Sequence, residues 1–400
     1  MPMIWYKTLY CRAFQLGLRA ALPLLPYRDP AILDRTEQVT ALLREKHIRR
    51  PLLITDRNLV ALGLTEPLQT SLVAAEIDCV VFDETRPNPT TALVEAAAAR
   101  YREMDCDALI AFGGGSPMDL AKAVGARLVR PKKPLPSMAG ILKVRKRLPL
   151  LIAIPTTAGT GSETTLAAVI TDSETRHKFA INDFPLIPSY AVLDTRVIHT
   201  LPRAVAATTG IDALTHAVEA YIGRSTTRQT RADAEEAVRL IFANLRDAAE
   251  HKSEQAERAM LYAAYYAGRA FTRSYVGYIH AVSHSLSGRY DMPHGLTNAI
   301  LLPRILRRYG VVIHPRLARL AVCAGLGKDG EDAEQLAERF IRAVEELNAS
   351  FDIPTTIAGI MDADIPLLAE QADREAHPLY PVPVLWSREE LADIYREVKE

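Results

Sequence analysis

Residues 30–200 alternate between short apolar runs and longer segments in which apolar residues recur every three or four positions. Four short runs with an apolar centre predict strands: PLLITD (51–56), DCVVFDE (78–84), DALIAFGGG (107–115) and LPLLIAIPTT (148–157). Four longer segments predict helices: 31–47, 58–76, 90–104 and 116–128. Strands that alternate with helices are typical of a parallel sheet covered on both faces.

The pattern changes near Leu201, where the strand-like runs stop. Residues 203–345 are long Ala-, Leu- and Arg-rich segments with helical periodicity. A proline-rich turn, HPLYPVPVLW (377–386), precedes one last helical segment. We therefore predict an α/β domain over residues 1–202, which includes an N-terminal extension, and an all-helical domain over residues 203–400.

The extension begins MPMIWYKTLYCRAFQLGLRAALPLLP, which is apolar but interrupted by Lys7, Arg12 and Arg19. Its apolar runs fall short of the roughly 20 residues that a membrane-spanning helix requires. We interpret it as an amphipathic helix that covers the core or forms a subunit contact. A helix lying on a membrane surface is the alternative.

Charge and cysteine usage exclude several classes of function. Lys+Arg and Asp+Glu balance at 48 each, so net charge attracts the chain neither to nucleic acid nor to membrane lipid. The cysteines Cys11, Cys79, Cys106 and Cys323 are far apart and form no CxxC, which argues against a disulfide framework and a thiolate zinc site. We expect reduced thiols, a cytoplasmic location, and neither a nucleic-acid nor a membrane partner.

Two glycine-containing loops follow predicted strands. DALIAFGGGSPMDLAKAVG (107–125) runs from a strand through three glycines into a helix, whose free N–H groups favour an anion. LIAIPTTAGTGSETT (151–165) leaves the next strand in the same way. Either loop alone is explained equally well as a simple turn. Together they predict the walls of one crevice, at the sheet edge where open α/β sheets bind ligands.

Asp56 ends the strand PLLITD, and two interpretations of it stay open. A carboxylate at that point of a dinucleotide-binding fold accepts hydrogen bonds from the adenosine ribose. A carboxylate before a helical segment also serves as its N-terminal cap.

Histidines cluster in GYIHAVSHSLSGRYDMPHGLTNAILLP (277–303), where His280, His284 and His294 stand within fifteen residues. Upstream, Asp212 and His216 are four apart in a predicted helix and share one face. A carboxylate among imidazoles suits Fe²⁺ or Zn²⁺, and a metal ion satisfies several buried histidines at once. Solvated histidines on a helix face and hydrogen-bonded core histidines are the alternatives.

A metal together with a dinucleotide crevice indicates hydride transfer, since a Lewis acid polarises a carbonyl or lowers the pKa of an alcohol. Four motifs make the pattern specific: GGGSPMDLAKA, IPTTAGTGSE, GIDALTHAVEAY and the histidine-rich segment above. On these motifs the chain resembles the iron-containing (group III) alcohol dehydrogenases over residues 30–400.

The resemblance implies a Rossmann-like NAD(P)-binding α/β domain and an all-α metal-binding domain, an arrangement similar to that of dehydroquinate synthase. It implies four metal ligands: Asp212, His216, His280 and His294. His284 is then the catalytic residue beside the nicotinamide. The implied cofactor contacts are Gly114, Gly115 and Ser116 at the pyrophosphate, Thr156, Thr157 and Thr160 along the cofactor, Lys178 at a ribose and Asn88 on the adenosine side.

We therefore expect an Fe²⁺-dependent alcohol dehydrogenase or aldehyde reductase, a homo-oligomer, that acts on a primary alcohol or aldehyde. NAD(H) should be preferred over NADP(H), because Asp56 would repel a 2′-phosphate. One alternative is a polyol or hydroxyacid oxidoreductase with Zn²⁺ or no metal, for which Arg273 is the nearby cation. Another is a non-catalytic structural or membrane-docked subunit.

Two features depart from the family pattern. Many members lack the N-terminal extension, and HPLYPVPVLW replaces a cysteine- and glycine-containing loop that some members place near the substrate. Phe271 and Tyr278 are explained equally well as the apolar wall of a substrate pocket and as core residues.

Overall fold

A computed structural model describes Met3 and residues 5–175, 177–328 and 330–400. The chain divides into two compact units: Pro26–Leu201 forms the first, and Met1–Leu25 with Pro202–Glu400 forms the second. The division at Leu201 and Pro202 lies one residue from the predicted boundary. The N-terminal extension differs from the prediction, because its helix α1 (Trp5–Ala21) belongs to the helical unit.

The unit Pro26–Leu201 is built on a parallel sheet. Its strands are β1 (Ala31–Leu33), β2 (Pro51–Ile54), β3 (Val80–Phe82), β4 (Ala108–Gly113), β5 (Gly140–Ile141), β6 (Leu150–Pro155), β7 (Ala167–Thr171), β8 (Lys178–Asn182) and β9 (Tyr190–Val192). Its helices are α2 (Glu37–Glu45), α3 (Arg57–Ala61), α4 (Glu66–Ala74), α5 (Thr91–Glu103) and α6 (Gly115–Val129). Six strands form a parallel sheet in the order β1-β9-β6-β4-β2-β3, and β5-β8-β7 form a smaller mixed sheet.

Strands β4 and β6 are neighbours in the middle of the parallel sheet. Every residue of β4 is buried, as expected for a parallel strand covered on both faces. Their register runs from Ala108 opposite Leu150 to Gly113 opposite Pro155. Both strands therefore end at the same edge, and the two glycine-containing loops leave the sheet side by side.

The second unit is helical. After α1 its helices are α7 (Arg203–Ile222), α8 (Arg228–Glu250), α9 (Glu254–Ser274), α10 (Tyr278–Tyr290), α11 (His294–Tyr309), α12 (His314–Cys323), α13 (Ala333–Ser350), α14 (Ile365–Ala376) and α15 (Arg388–Val398). The residue at the end of α10, Asp291, is left-handed with φ 53°, which turns the chain, and Pro293 precedes the first residue of α11. Among the described residues, no helix has both the length and the apolar content that crossing a bilayer requires.

The predicted fold class is confirmed: a parallel α/β domain is followed by a helical domain. The prediction of one helix over 31–47 is wrong at its start, because Ala31–Leu33 pairs with β9 as an edge strand. The predicted helix 58–76 is two helices, separated near Gly63, whose φ is +71°. The sequence pattern also missed β5, β7, β8 and β9.

Helix α1 is attached to the helical unit by polar side chains. Arg12 donates to the carbonyl oxygens of Val382 and Pro383 at 2.7 and 3.0 Å. Gln15, which is buried, donates to the carbonyl oxygen of Tyr380 at 2.7 Å. These bonds to the 378–383 segment explain why the extension groups with the helical unit and not with the α/β domain.

We predict that Gly295→Ala lowers the free energy of unfolding by about 1–3 kcal/mol, the usual result of overpacking. A Cβ at Gly295 would lie 2.6 Å from the carbonyl oxygen of Thr208, a backbone atom of α7 that moves only with its helix. Urea unfolding followed by circular dichroism measures the change.

Gly288→Ala in α10 is the matched control. A Cβ at Gly288 meets no atom within 4 Å, so alanine should be neutral or stabilising by about 0.5–1 kcal/mol. Equal midpoints for Gly295→Ala and the parent would contradict the packing argument.

Candidate metal and cofactor sites

Three of the predicted metal ligands lie together in the helical unit. Asp212 is on α7, His280 on α10, and His294 is the first residue of α11. One ligand atom from each lies within 4.8 Å of the other two. Asp212 and His280 are buried, while His294 is partly exposed. The fold thus gathers a carboxylate and two imidazoles from three separate helices.

Their acceptor atoms point to one place. The amide Nδ2 of Asn298, one turn after His294 on α11, donates to Asp212 Oδ1 at 2.7 Å and lies 3.2 Å from His280 Nε2 and 3.1 Å from His294 Nε2. Because one amide nitrogen lies within hydrogen-bond distance of all three atoms, the lone pairs of the three side chains converge. Two imidazole nitrogens and a carboxylate oxygen are a donor set that suits Fe²⁺ or Zn²⁺, so these residues fit a divalent cation.

A buried carboxylate orients His280. Glu219 Oε2 lies 2.6 Å from His280 Nδ1, and the carboxylate also accepts the backbone N–H groups of Gly277 at 2.8 Å and Ile279 at 2.7 Å. With Nδ1–H donated to Glu219, Nε2 keeps its lone pair for a metal, an arrangement common around metal-binding histidines.

Burial dominates the electrostatics of this pair. It raises the pKa of Glu219 to about 8, although the N–H groups of Gly277 and Ile279 act in the opposite direction. Burial, and then the nearby imidazoles of His216, His294 and His284, lower the pKa of His280 well below its ordinary value. His280 is therefore neutral, which is the form that binds a metal.

His216 lies beside the three-residue cluster but is not part of it. Its ring stacks between those of Phe271 and His280, with centroid distances of 4.2 and 4.4 Å. Among the described residues, the group of mutually close ligand atoms consists of Asp212, His280 and His294. His216 remains a prediction as the fourth ligand, one helical turn from Asp212.

His284 is also outside that group, and its catalytic role stays a prediction. Its ring stacks on His294 with centroids 5.0 Å apart. Its Nδ1 lies 2.6 Å from Oε1 of Glu375 on α14, and the hydroxyl of Tyr380 donates to the same oxygen at 2.7 Å. Since Glu375 engages Nδ1, the Nε2 atom is the one that can exchange a proton with a substrate.

In the α/β unit, the two glycine-containing loops face each other. A Cβ at Gly114 would lie 3.5 Å from Thr157, and one at Gly115 would lie 3.3 Å from Thr160. Gly113 has φ +152°, and a Cβ there would be 2.4 Å from Pro117, so only glycine fits. Thr157 Oγ1 is buried without a hydrogen-bond partner among the described residues.

These loops form a cradle next to the N-terminus of α6, and the Thr157 hydroxyl in it has no hydrogen-bond partner among the described residues. Gly114 is the cap of that helix, so Gly115 and Ser116 lie in its first turn, where N–H groups favour an anion. Thr156 continues β6, and its N–H donates to the carbonyl oxygen of Gly113 at 3.1 Å. The predicted pyrophosphate contacts and the predicted threonines are thus brought together, in a form that fits a phosphate-bearing cofactor.

Lys122 joins helix α6 to the threonine-containing loop. Its buried Nζ donates to the carbonyl oxygens of Ser162 and Ala167 at 2.6 and 3.0 Å and to Thr165 Oγ1 at 2.7 Å. Burial lowers the pKa of Lys122 to about 8, while the carboxylates of Asp119 and Glu163 act in the opposite direction. This ammonium fixes the distance between the two walls of the cradle.

The remaining predicted cofactor residues have defined partners. Lys178 Nζ donates to Asn88 Oδ1 at 2.9 Å, so these two are brought together as one polar pair. Asp56 caps α3, accepting the N–H groups of Asn58 and Leu59 at 3.0 and 3.1 Å, both through Oδ1. The helix-cap interpretation of Asp56 therefore holds, and ribose binding by the same carboxylate stays a prediction.

Sequence reasoning missed the residues that support the site. Glu219 had a usable signal, since it lies seven positions after Asp212, on the same helical face, in an otherwise apolar stretch. Asn298 and Glu375 had none, because each acts on a histidine from another part of the chain. Tyr278 is a core residue: it is fully buried and its ring stacks on Trp386 with centroids 4.7 Å apart.

Comparison with known proteins identifies the family of this chain. A family model described as "Iron-containing alcohol dehydrogenase" matches residues 33–195, and "Fe-containing alcohol dehydrogenase family, C-terminal" matches residues 206–398. The 1,3-propanediol dehydrogenase of Citrobacter freundii is 39% identical over 355 residues, covering 87% of this chain and 91% of the relative. The NAD-dependent methanol dehydrogenase of Bacillus methanolicus is 34% identical over 339 residues, covering 84% and 89%.

The crystal structure of a 1,3-propanediol oxidoreductase superposes on this chain with a TM-score of 0.88 at 34% identity. It covers 93% of this chain, and 99% of that structure is matched. The two-domain fold is therefore shared along nearly the whole of both chains.

We predict that His280→Ala abolishes metal binding, because it removes a ligand and opens the site to water. Glu219→Gln, which keeps the ligand but weakens its orientation, should lower metal affinity about 10- to 100-fold. Titration with Fe²⁺ under anaerobic conditions, or with Zn²⁺, followed by elemental analysis, measures both.

His251→Ala is the matched control, because it removes an exposed imidazole from the same helical unit. Stoichiometric metal in His280→Ala would refute the assignment of the site.

Proposed function

We propose that this chain, which belongs to the iron-containing alcohol dehydrogenase family, uses NAD(H) and Fe²⁺ to interconvert a primary alcohol and its aldehyde. The family makes the chain an alcohol or aldehyde oxidoreductase. The observation that carries the finer proposal is the convergence of Asp212, His280 and His294, with His284 beside them. NAD is supported by the name of the Bacillus methanolicus relative.

Each unit supplies one set of contacts. Asp212, His280 and His294 would hold the metal, with His216 as a fourth ligand. Gly114, Gly115, Ser116, Thr156, Thr157 and Thr160 would hold the cofactor phosphates, and Lys178 with Asn88 a ribose. When bound, Fe²⁺ supplies Lewis-acid polarisation of the substrate oxygen, and NAD⁺ supplies the hydride acceptor.

His284 provides the proton transfer that balances the reaction. Oxidation of an alcohol releases a hydride from carbon and a proton from the hydroxyl group. Nε2 of His284 accepts that proton, and Glu375 stabilises the resulting imidazolium through Nδ1–H. In aldehyde reduction the same nitrogen returns the proton to the oxygen.

A diol is the second candidate substrate. It is supported by the similarity to two 1,3-propanediol enzymes, one at 39% and one at 34% identity. An anaerobic screen of the purified protein, loaded with Fe²⁺ or Zn²⁺, tests both candidates. NADH oxidation should be faster with butanal than with ketones or with the oxoacids that are reduced to hydroxyacids. Absence of turnover of every aldehyde and diol with either metal would refute the proposal.

We predict that His284→Ala keeps the metal content of the parent but lowers kcat about 10²- to 10⁴-fold, the usual contribution of a general acid or base. Glu375→Gln should lower kcat less and shift its pH profile, because the imidazolium loses a charged partner. Metal analysis of both variants is the control. Loss of metal in His284→Ala would make that residue a ligand and overturn its assigned role.

We predict that the parent prefers NAD(H) by about ten- to a hundred-fold, because the carboxylate of Asp56 repels a 2′-phosphate. Two variants separate the effect of the Asp56 charge from the role of Asp56 as a helix cap. Asp56→Asn keeps the cap, since Asn serves there as well as Asp, whereas Asp56→Gly removes both side-chain functions.

The kcat/KM with NAD(H) divided by that with NADP(H) should fall in both variants. An unchanged ratio in Asp56→Asn, or a parent that favours NADPH, would leave Asp56 as a helix cap only.

A further inference from the structure

Helix α1 turns an apolar face away from the protein. At about 100° per residue, five large side chains fall within one sector of about 140°: Trp5, Tyr6, Leu9, Tyr10 and Leu16. All five are exposed, from 53% for Tyr6 to 75% for Trp5. The residues between them in this sector are small and also exposed: Ala13, Gly17 and Ala20.

The side of α1 that faces the protein is mixed, since the apolar Cys11 and the polar Gln15 are both buried there. Gln15 and Arg12 point inward and bond to backbone carbonyls of the 378–383 segment. The outward sector holds no charged residue. An apolar surface of this kind marks a contact with another molecule.

The charge on α1 is of one sign. No Asp or Glu occurs between Trp5 and Ala21. Lys7 lies about 60° beyond Tyr10 on one side of the sector, and Arg19 lies about 40° beyond Trp5 on the other. Other cations lie near α1. Burial lowers the pKa of Arg12, and the charge of nearby Arg224 lowers it further. Burial, Arg231, Arg224 and Arg19 together lower the pKa of Arg316.

We propose that α1 docks this protein onto an anionic lipid surface. Trp and Tyr side chains are favoured at the headgroup level of a bilayer, and cations at the borders of an apolar face meet anionic headgroups. A second copy of this chain fits less well. A two-fold contact would set the same cations against each other with no acid on the helix to oppose them.

The test uses the full chain with vesicles of phosphatidylglycerol and phosphatidylcholine, and with vesicles of phosphatidylcholine alone. The two tryptophans of the sequence differ in exposure: Trp5 is 75% exposed and Trp386 only 4%. Binding should therefore shift Trp5 emission to shorter wavelength, and the protein should sediment with the phosphatidylglycerol vesicles. High salt should reverse the effect.

Two sets of variants identify the surface. Leu9→Ser with Tyr10→Ser should lower the partition coefficient on the order of tenfold, whereas Val73→Ser, an exposed apolar position of α4, should not. Lys7→Gln with Arg19→Gln should lower it about fivefold for each charge removed, unlike Lys46→Gln with Lys132→Gln, two exposed lysines of the α/β unit.

Equal sedimentation with both kinds of vesicle, or with neither, would overturn the proposal. So would light scattering that shows the Leu9→Ser, Tyr10→Ser variant as a smaller oligomer than the parent without vesicles, since the face would then belong to a second copy. Both readouts are independent of turnover, so they stand apart from the proposed reaction.

Discussion

The carboxylate of Glu219 joins helix α7 to the start of α10. Removing a carboxylate from water is costly, and three N–H groups offset part of that cost here, from Gly277, Ile279 and the imidazole of His280. Gly277 is close enough that a Cβ would lie 2.7 Å from Glu219 Oε1. The direction in which His280 points is a consequence of this buried group, and the convergence with Asp212 and His294 depends on it.

Lys122 has the corresponding role in the α/β unit. An ammonium buried among carbonyl and hydroxyl oxygens must be satisfied, so the loop after β6 is held to α6 at a fixed separation. In each unit, one buried titratable side chain thus sets the spacing of elements that carry site residues. Neither group would contact the reacting atoms, yet both define where those atoms can be bound.

The parts of this architecture that the sequence predicts are those encoded locally. The runs that became β2, β4 and β6 are apolar along their length because parallel strands are buried on both faces, and the spacing of Asp212 and His216 shows a shared helical face. Strands β1 and β9 have only three residues each and exist because a partner pairs with them, which no local pattern reveals. Asn298 and Glu375 acquire their meaning only from histidines that the folded chain brings beside them.

The spacing along α7 constrains how this chain can change in length. Asp212, His216 and Glu219 occupy successive turns on one face, and a single inserted residue would rotate everything beyond it by about 100°. Between Asp212 and Glu219 the helix therefore tolerates substitutions only. A one-residue insertion or deletion there would turn the two carboxylates onto different faces of the helix. Insertions and deletions in related sequences should instead occur in turns such as the one at Gly325, which is exposed and has a left-handed backbone.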